Sequence, residues 1–329
     1  MNISIKSLLR PTAAIVITLS YLIASPSMAV AQNASSIALH QPGYYRMQVG
    51  DLEVTALSDG TIPQDVVKLL TNAQPGEIGR LLQLNYVTTP VETSVNAYLI
   101  KTIDKLILVD AGTADVFGPS LGYLTKSLHN AGYNPEQIDA VLITHIHPDH
   151  TGGLMDGDKM VFPNATIYIS KPEVDFWFTE ENKQSAPEGL KYYYQNAAQK
   201  VGPYLKAGKV KVFEYGGELF PGITPIASPG HTPGHTFYAI ESKGQKLVFW
   251  GDIMHVASVQ LTDPSVTIQY DIDPKAAAFQ RKKAFSDAAK YGYWVAGDHV
   301  SFPGIGHLRA DGSKYVWVPV NYSTYGTGQ

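Results

Sequence analysis

Three histidines and an aspartate fall within six consecutive positions of this 329-residue chain. They are His145, His147, Asp149 and His150, and the apolar residues 140–143 come directly before them. Such an apolar run is typical of a buried strand, and the loop that leaves it could aim the first two histidines one way and the other pair another way. Imidazole and carboxylate without thiolate favour zinc or a similar divalent metal. The motif predicts a metallohydrolase; the alternative is a polar loop whose histidines only cap the strand.

Further candidate ligands follow later strand-like runs. His231 lies in the segment Ser-Pro-Gly-His-Thr-Pro-Gly-His, where Gly230 permits a tight turn, and His235 ends the same segment. We expect His231 to project from the loop and His235 to be a core imidazole behind the ligands. Asp252 ends an apolar run and could bridge two cations held ~3.5–4 Å apart. His299, in Gly-Asp-His, offers one more imidazole.

The first 31 residues read as an export signal. Lys6 and Arg10 precede an apolar run that is shorter than the ~20 residues a membrane span needs. Ala29-Val30-Ala31 then supplies a small-x-small cleavage sequence. We expect cleavage after Ala31, export to the periplasm or the medium, and a single mature domain of residues 32–329 with no membrane segment.

Composition narrows the function classes. Removing the leader changes the formal charge from -4 to -6, because it carries two cations and no acidic residue. A mildly acidic domain without a basic run argues against nucleic acid as a partner. The chain has no cysteine, which excludes disulfides, thiolate ligands and a cysteine nucleophile. Only 16% of the residues are charged, while tyrosine and glycine are plentiful, which suits a β-rich globular protein.

The order of predicted elements repeats in two halves. We expect strands at residues 45–49, 52–58, 95–100, 105–109, 140–144, 165–170, 209–215, 224–228, 237–241 and 246–250. Helices are expected at residues 118–131, 188–207 and 274–291. Two β-rich halves packed face to face with helices outside predict an α/β protein, a four-layer αββα sandwich.

Together these motifs resemble the metallo-β-lactamase superfamily. The resemblance rests on Asp110 at a strand end, the H-x-H-x-D-H loop, Pro-Gly-His231, Asp252 and His299. It assigns three ligands to each of two metals, in the groups His145, His147, His231 and Asp149, His150, His299. It also makes Asp252 the bridging ligand and Asp110 a brace of the ligand loop.

Residues 42–47, 56–61, 302–307 and 318–323 are similar to the methyl parathion hydrolase group. That resemblance implies exported enzymes that open lactones, cleave aryl esters or hydrolyse phosphotriesters, with Phe117, Trp177 and Tyr194 around an aromatic leaving group. The chain departs from the phosphotriesterase at His255, where that enzyme has an aliphatic residue, and around Ile268 and Tyr270, which are bulkier. We expect these three residues to form a pocket that prefers a flat lactone or aryl ester.

The expected mechanism is attack by a hydroxide that two zinc ions share, with Asp149 carrying the proton to the departing oxygen. Manganese, cobalt or iron are alternatives to zinc. Three other interpretations remain: an iron-dependent oxidoreductase, against which His147 argues; a binding protein that lacks the chemistry; and a β-lactamase. Tyrosine-rich stretches fit a dimer face and core packing equally well, and the resemblance favours a homodimer.

Overall fold

The first sheet forms from strands in chain order. The computed structural model describes residues 41–324, so the expected leader lies outside the described residues. Seven strands make this sheet: β1 (Tyr44–Val49), β2 (Leu52–Gln64), β3 (Val91–Lys101), β4 (Leu106–Val109), β5 (Ala140–Leu142), β6 (Thr166–Ser170) and β7 (Val210–Phe213). The pairs from β1 to β4 are antiparallel, and the pairs from β4 to β7 are parallel.

The second sheet has six strands, also in chain order. They are β8 (Ile223–Ala227), β9 (Thr236–Ser242), β10 (Gln245–Phe249), β11 (Trp294–Ala296), β12 (Ile305–Asp311) and β13 (Lys314–Pro319). Only β10 and β11 pair in parallel. Two further two-stranded sheets pair Leu70–Thr71 with Thr267–Ile268 and Met155–Asp156 with Lys159–Met160.

Ten α-helices cover the outer faces and the loops. They are α1 (Val66–Leu69), α2 (Glu77–Leu84), α3 (Leu124–Asn130), α4 (Pro148–Thr151), α5 (Lys171–Phe178), α6 (Glu180–Ser185), α7 (Glu188–Lys200), α8 (Gly202–Lys206), α9 (Ala257–Gln260) and α10 (Pro274–Tyr291), within the described part of the chain. None of these helices has the length and apolar character needed to cross a bilayer.

Alternate side chains along a strand belong to different core layers. In β10, Leu247 and Phe249 join the core between the two sheets, whereas Val248 joins the core beneath α10. Successive strand residues point to opposite faces, so one strand supplies two cores. The first sheet likewise packs its other face on α3, α5 and α7. The four-layer αββα prediction is therefore confirmed.

One predicted helix begins too early. The sequence predicted helix at residues 118–131, but α3 begins at Leu124. Gly118 and Gly122 both adopt positive φ, and the chain before α3 is a loop. The predicted helix at residues 188–207 is interrupted between α7 and α8. The prediction for residues 274–291 matches α10, whose start is capped by the Asp273 carboxylate.

The topology brings four strand ends to one place. Strands β4 and β5 are parallel, as are β10 and β11, so the carboxyl ends of each pair lie at one edge of their sheet. Asp110 follows β4, the histidine loop follows β5, Asp252 follows β10, and His299 follows β11. The fold thus places the candidate ligands along the edge where the two sheets meet.

Candidate metal centre

The structure assembles two overlapping groups of metal-ligating side chains. One group is His145, His147, His231 and Asp252; the other is Asp149, His150, Asp252 and His299. Within each group one nitrogen or oxygen atom per residue lies within 4.8 Å of every other. Asp252 belongs to both groups. All seven ligands that the sequence nominated are therefore brought together, with Asp252 in the shared position that was predicted.

Hydrogen bonds at the outer ring nitrogens orient most of the imidazoles. His145 Nδ1 lies 3.0 Å from Thr144 Oγ1, His231 Nδ1 lies 2.9 Å from Asp271 Oδ1, and His299 Nδ1 lies 2.9 Å from the Ser94 carbonyl oxygen. In each case Nδ1–H donates, which directs Nε2 inward. His147 differs, because its Nδ1 is the atom that faces the centre, 3.0 Å from His231 Nε2.

Several inward atoms have no hydrogen-bond partner in the described residues. They are His145 Nε2, His150 Nε2 and Asp252 Oδ1, and all three are buried. Buried polar atoms without partners are costly, and several that converge on one point fit a site for a cation. Nitrogen and carboxylate donors in this number fit a pair of divalent ions such as zinc. The residues present thus fit the two metals that the motifs predicted.

Charge within the centre divides the imidazoles into two classes. Burial lowers the pKa of His145 and of His147 well below the ordinary value, so both rings are neutral. Burial also opposes charge on His231 and His299. For those two, however, hydrogen bonds and nearby carboxylates, Asp252 foremost, raise the pKa to about 9. Without a metal, these two imidazoles hold protons that an incoming cation must displace.

Asp110 braces the ligand loop, as its position predicted. Its carboxylate accepts from the Thr144 N–H at 2.8 Å, from the Thr144 hydroxyl at 2.6 Å and from His150 Nδ1–H at 2.8 Å. Asp298, which the sequence interpretation passed over, lies 3.3 Å from the same His150 nitrogen. Burial, followed by the charge of Asp110, raises the pKa of Asp298 well above its ordinary value. Asp110 therefore holds His150 by a hydrogen bond, while Asp298 lies beside the same nitrogen without making one.

Glu173 joins the two loops that carry the three-histidine group. One carboxylate oxygen accepts from the Ile146 N–H at 2.7 Å and from the Trp177 indole N–H at 2.7 Å. The other accepts from the Thr232 hydroxyl at 2.7 Å and the Gly234 N–H at 2.9 Å. Ile146 lies between two ligands and Thr232 follows a third, so this buried carboxylate fixes the distance between the loops.

A family model and known relatives match the sequence that forms this centre. The family model of the metallo-beta-lactamase superfamily matches residues 90–316. The chain belongs to the metallo-beta-lactamase superfamily. An N-acyl homoserine lactonase from Bacillus sp is 29% identical over 182 residues, which are 49% of this chain and 64% of that protein. The N-acyl homoserine lactonase AttM of Agrobacterium fabrum is 28% identical over 146 residues, 41% of this chain and 49% of that protein.

Solved structures in the superfamily align over more of the chain. The hydrolase AbOPH superposes with a TM-score of 0.82 at 38% identity, covering 86% of this chain and 99% of that one. AidC, described as a dizinc quorum-quenching lactonase in complex with its product N-hexanoyl-L-homoserine, gives 0.79 at 29% identity with the same coverage. The likeness to both extends over almost the whole of each solved chain.

Two loop glycines allow close packing near the ligand residues, and a buried histidine supports Asp252. Gly230 has φ of +144°, and a Cβ there would collide with the Ala277 backbone at the start of α10. Gly251 has φ of +52°, and its Cβ would lie 2.7 Å from His235 Nε2. That nitrogen accepts from the Asp252 N–H at 3.1 Å, while burial lowers the pKa of His235 to about 3. His235 is thus a neutral acceptor behind the Asp252 carboxylate that both ligand groups share, where the sequence placed it.

His255 touches the Asp252 carboxylate. Its Nε2 lies 3.1 Å from Asp252 Oδ2, and its ring stacks on His299 at 5.2 Å between centroids. Burial lowers the pKa of His255, so the ring is neutral and its N–H donates to the carboxylate. The predicted polar group near the centre is therefore present, in contact with Asp252 as well as with the cavity above it.

A cavity of about 380 Å³ opens over the centre. Phe117 lines it, as the resemblance to the methyl parathion hydrolase group led us to expect, and so do His255 and Tyr270, which we expected because the chain departs from the phosphotriesterase there. Tyr193 lines it too, although the sequence interpretation passed it over in favour of its neighbour. Tyr194 lines an adjoining cavity instead.

The structure corrects two further pocket assignments besides that of Tyr194. Trp177 is buried beneath His147 and lines neither cavity, because its indole N–H donates to Glu173. Ile268 is fully buried in the core around Val66 and Leu70, since its strand pairs with the one that contains Leu70. Both side chains support the site from within the protein.

Proposed function

We propose that this superfamily member is a dinuclear metal-dependent hydrolase whose substrates are uncharged lactones, with aryl esters as close analogues. The observation that carries the proposal is the lining of the cavity over the centre. Among the described residues around it are three aspartates, three histidines and several apolar side chains, but no lysine or arginine. A substrate with its own carboxylate, such as a β-lactam, would find no cationic side chain there.

The two ions, when bound, supply Lewis acidity and lower the pKa of coordinated water. The chain's own residues then decide where a proton can move. The Asp149 side chain is 22% exposed and lines the cavity, whereas that of Asp252 is 4% exposed and is surrounded by imidazoles. Asp149 is therefore the carboxylate that a departing alkoxide can reach, and we assign it the proton transfer to the leaving oxygen.

Support for a lactone comes from the relatives. The lactonases of Bacillus sp and Agrobacterium fabrum and the lactonase AidC share this superfamily. Phosphotriester hydrolysis of the methyl parathion hydrolase type is the alternative. Against it stands His255, whose imidazole contacts Asp252 and lines the cavity, where we expect it to suit a flat ring better than a tetrahedral phosphotriester. An iron-dependent oxidoreductase is a further alternative, which metal analysis of the purified protein would separate.

The test is a comparison of kcat/KM on zinc-loaded protein for dihydrocoumarin, N-hexanoyl homoserine lactone, phenyl acetate and methyl parathion. We expect the lactones to be preferred. His145→Ala should abolish turnover, whereas His129→Ala, which changes an exposed histidine outside the centre, should not. Preference for methyl parathion would make the protein a phosphotriesterase, and no turnover of any of the four would refute hydrolysis of these classes.

We also propose export, on the sequence of the first 31 residues alone. Expression of the full chain with an intact-mass measurement of protein from the medium or periplasm tests this. The expected mass is that of a chain beginning at Gln32, and an exported protein that keeps Lys6 and Arg10 would contradict it.

A further inference from the structure

A fully buried arginine contacts two of the loops that form the cavity over the metal centre. Arg281 lies in α10 and is 0% exposed. Burial lowers the pKa of its guanidinium to about 10, while the charge of Asp271 opposes that shift, so the group is charged at neutral pH. Because a buried charge is costly unless it is hydrogen-bonded, the partners of this guanidinium show which parts of the chain it holds.

The guanidinium donates to backbone carbonyls in both loops. Its Nε donates to the Ile253 carbonyl at 2.6 Å. Its Nη1 donates to the Val266 carbonyl at 2.6 Å and to the Pro264 carbonyl at 3.2 Å. Ile253 directly follows the ligand Asp252, whereas the other two residues shortly precede Tyr270. The donors of a guanidinium have a rigid, planar arrangement, so this one side chain sets the separation of the two loops.

A buried glutamine joins the same loops. The Gln260 Oε1 atom accepts from the His255 N–H at 2.8 Å and from the Val256 N–H at 3.0 Å. Its Nε2 donates at 3.1 Å to the Val266 carbonyl, which also accepts from Arg281. Gln260 is 0% exposed, so solvent does not reach these bonds. We call the two side chains and the carbonyl that they share the polar junction.

The guanidinium also reaches the residue that follows Tyr270. Its Nη2 lies 3.9 Å from Asp271 Oδ2 and makes no hydrogen bond within the described residues. Arg281 thus contacts the chain both before and after residues 267–270. The strand within that segment pairs on its other side with Leu70–Thr71. The segment that carries Tyr270 is therefore held from two directions.

One side chain from each loop lines the cavity over the metal centre. They are His255 and Tyr270, and their ring centroids lie 6.2 Å apart. The polar junction binds the backbone N–H of the first and holds the segment that contains the second. Displacing a group that positions substrate by about 1 Å can lower the rate about 100-fold. The distance between these two rings is therefore a property that the junction can control.

We propose that Arg281 and Gln260 are positioning residues for substrate selection, because they set the distance between His255 and Tyr270. This inference rests on the proposed lactonase function. Loosening the polar junction should harm a substrate that fills the cavity more than a small one. For the bicyclic dihydrocoumarin, Arg281→Met should lower kcat/KM by about 10–100-fold, mainly through KM. The single ring of γ-butyrolactone contacts less of the wall, and its kcat/KM should change little.

The experiment measures kcat and KM separately for these two lactones on protein saturated with zinc, so that a change in metal affinity does not enter. Arg281→Lys keeps the charge without the planar fork and should restore part of the wild-type selectivity. Gln260→Met breaks the junction without changing α10, in case Arg281→Met folds poorly. The double variant should lose less than the product of the two single fold-changes, because both side chains act through one carbonyl.

Amide hydrogen exchange of the zinc-loaded protein, followed by mass spectrometry, gives a readout that needs no turnover. In Arg281→Met, exchange should accelerate in residues 253–256 and 264–271 and stay slow in β3. Arg46→Met is the matched control, because Arg46 also donates to a backbone carbonyl, that of Ala131, yet does not line the cavity. It should leave both the selectivity and the exchange of the two loops unchanged.

Wild-type selectivity between the two lactones in both Arg281→Met and Gln260→Met would overturn the proposal. Equal losses for both lactones through kcat would also overturn it, since they would indicate damage to the metal centre. Either result leaves the proposed function standing. A wild-type enzyme inert toward every lactone would instead overturn the proposed function. In that case faster exchange confined to the two loops would still support the polar junction, and uniform exchange changes would overturn it.

Discussion

Replacing Glu173 by glutamine should weaken one metal position and spare the other. The four groups that donate to this carboxylate include Ile146 N–H, between His145 and His147, and Thr232 Oγ1–H, next to His231. The Asp149, His150 and His299 group receives none of these bonds. Glu173→Gln keeps the shape of the side chain but turns one oxygen that accepts two hydrogen bonds into an amide nitrogen that accepts none.

The expected magnitude follows from the two bonds that are lost. Hydrogen bonds to a charged group contribute roughly 1.5–3 kcal/mol each, and removing a buried charge recovers part of that loss. We therefore expect the free energy of unfolding of the metal-free protein to fall by about 2–4 kcal/mol. Changes in residues that orient metal ligands typically lower metal affinity by about 10–100-fold. That loss should fall on the three-histidine position alone.

The assay is a zinc titration against a chromophoric chelator, with urea unfolding of the metal-free protein alongside. Asp59→Asn is the matched control, since the buried Asp59 carboxylate also accepts four hydrogen bonds, from Thr113 (two), Gly122 and Leu124. It should destabilise the fold to a similar extent yet leave both zinc affinities unchanged. Wild-type zinc affinities in Glu173→Gln, or equal weakening in Asp59→Asn, would refute the reasoning.

Two further predictions concern protons and His255. The pKa of His231 and that of His299 are both about 9, above the ordinary 6.5. In the metal-free protein the charged imidazoles therefore contribute fully to the free energy of unfolding below about pH 6.5, and this contribution is lost as pH rises through about 9. The pKa of His150 is raised as well, because Asp252, Asp149 and Asp110 outweigh the effect of burial. Zinc loading at pH 7 should accordingly release about three protons from these imidazoles. Calorimetry in buffers of different ionisation enthalpy measures the release, and release of none would show that the imidazoles are not protonated. His255→Leu removes a hydrogen bond to the Asp252 carboxylate and should lower kcat/KM for dihydrocoumarin about tenfold. Turnover of methyl parathion should stay the same or rise. Parallel losses for both substrates would rule out a role of His255 in substrate choice.

The sequence allowed prediction of the ligands because they follow apolar runs at short, fixed spacing. His145 to His150 lie in one loop, so their proximity needs no knowledge of the fold. Bringing Asp252 and His299 to the same point does require the fold, and there the resemblance to the superfamily supplied what spacing could not. The same resemblance placed Trp177 in the pocket wall, where the structure has it in the core, because its indole bonds to Glu173.

The supporting carboxylates could not be recognised in the same way. Glu173 occupies the first turn of α5, where an acidic residue is ordinarily explained by the helix dipole. Its role exists only because α5 packs against two loops that are far apart in sequence. Asp271 is likewise 40 residues from the histidine it orients. Asp298 is next to His299 in the chain, yet it lies beside His150. None of these three contacts leaves a signal in the periodicity of the sequence or in the residues next to it.

These carboxylates explain how so many imidazoles can be buried around one point. Asp110 holds His150, with Asp298 beside it, Asp271 holds His231, and Glu173 holds the loops on either side of the three-histidine group. Each acts from a different part of the chain, so the orientation of the imidazoles does not depend on one loop alone. The unpartnered inward nitrogens nevertheless cost free energy until a cation binds. Metal binding should therefore stabilise the whole fold, because the ions complete a polar core that both sheets already hold in position.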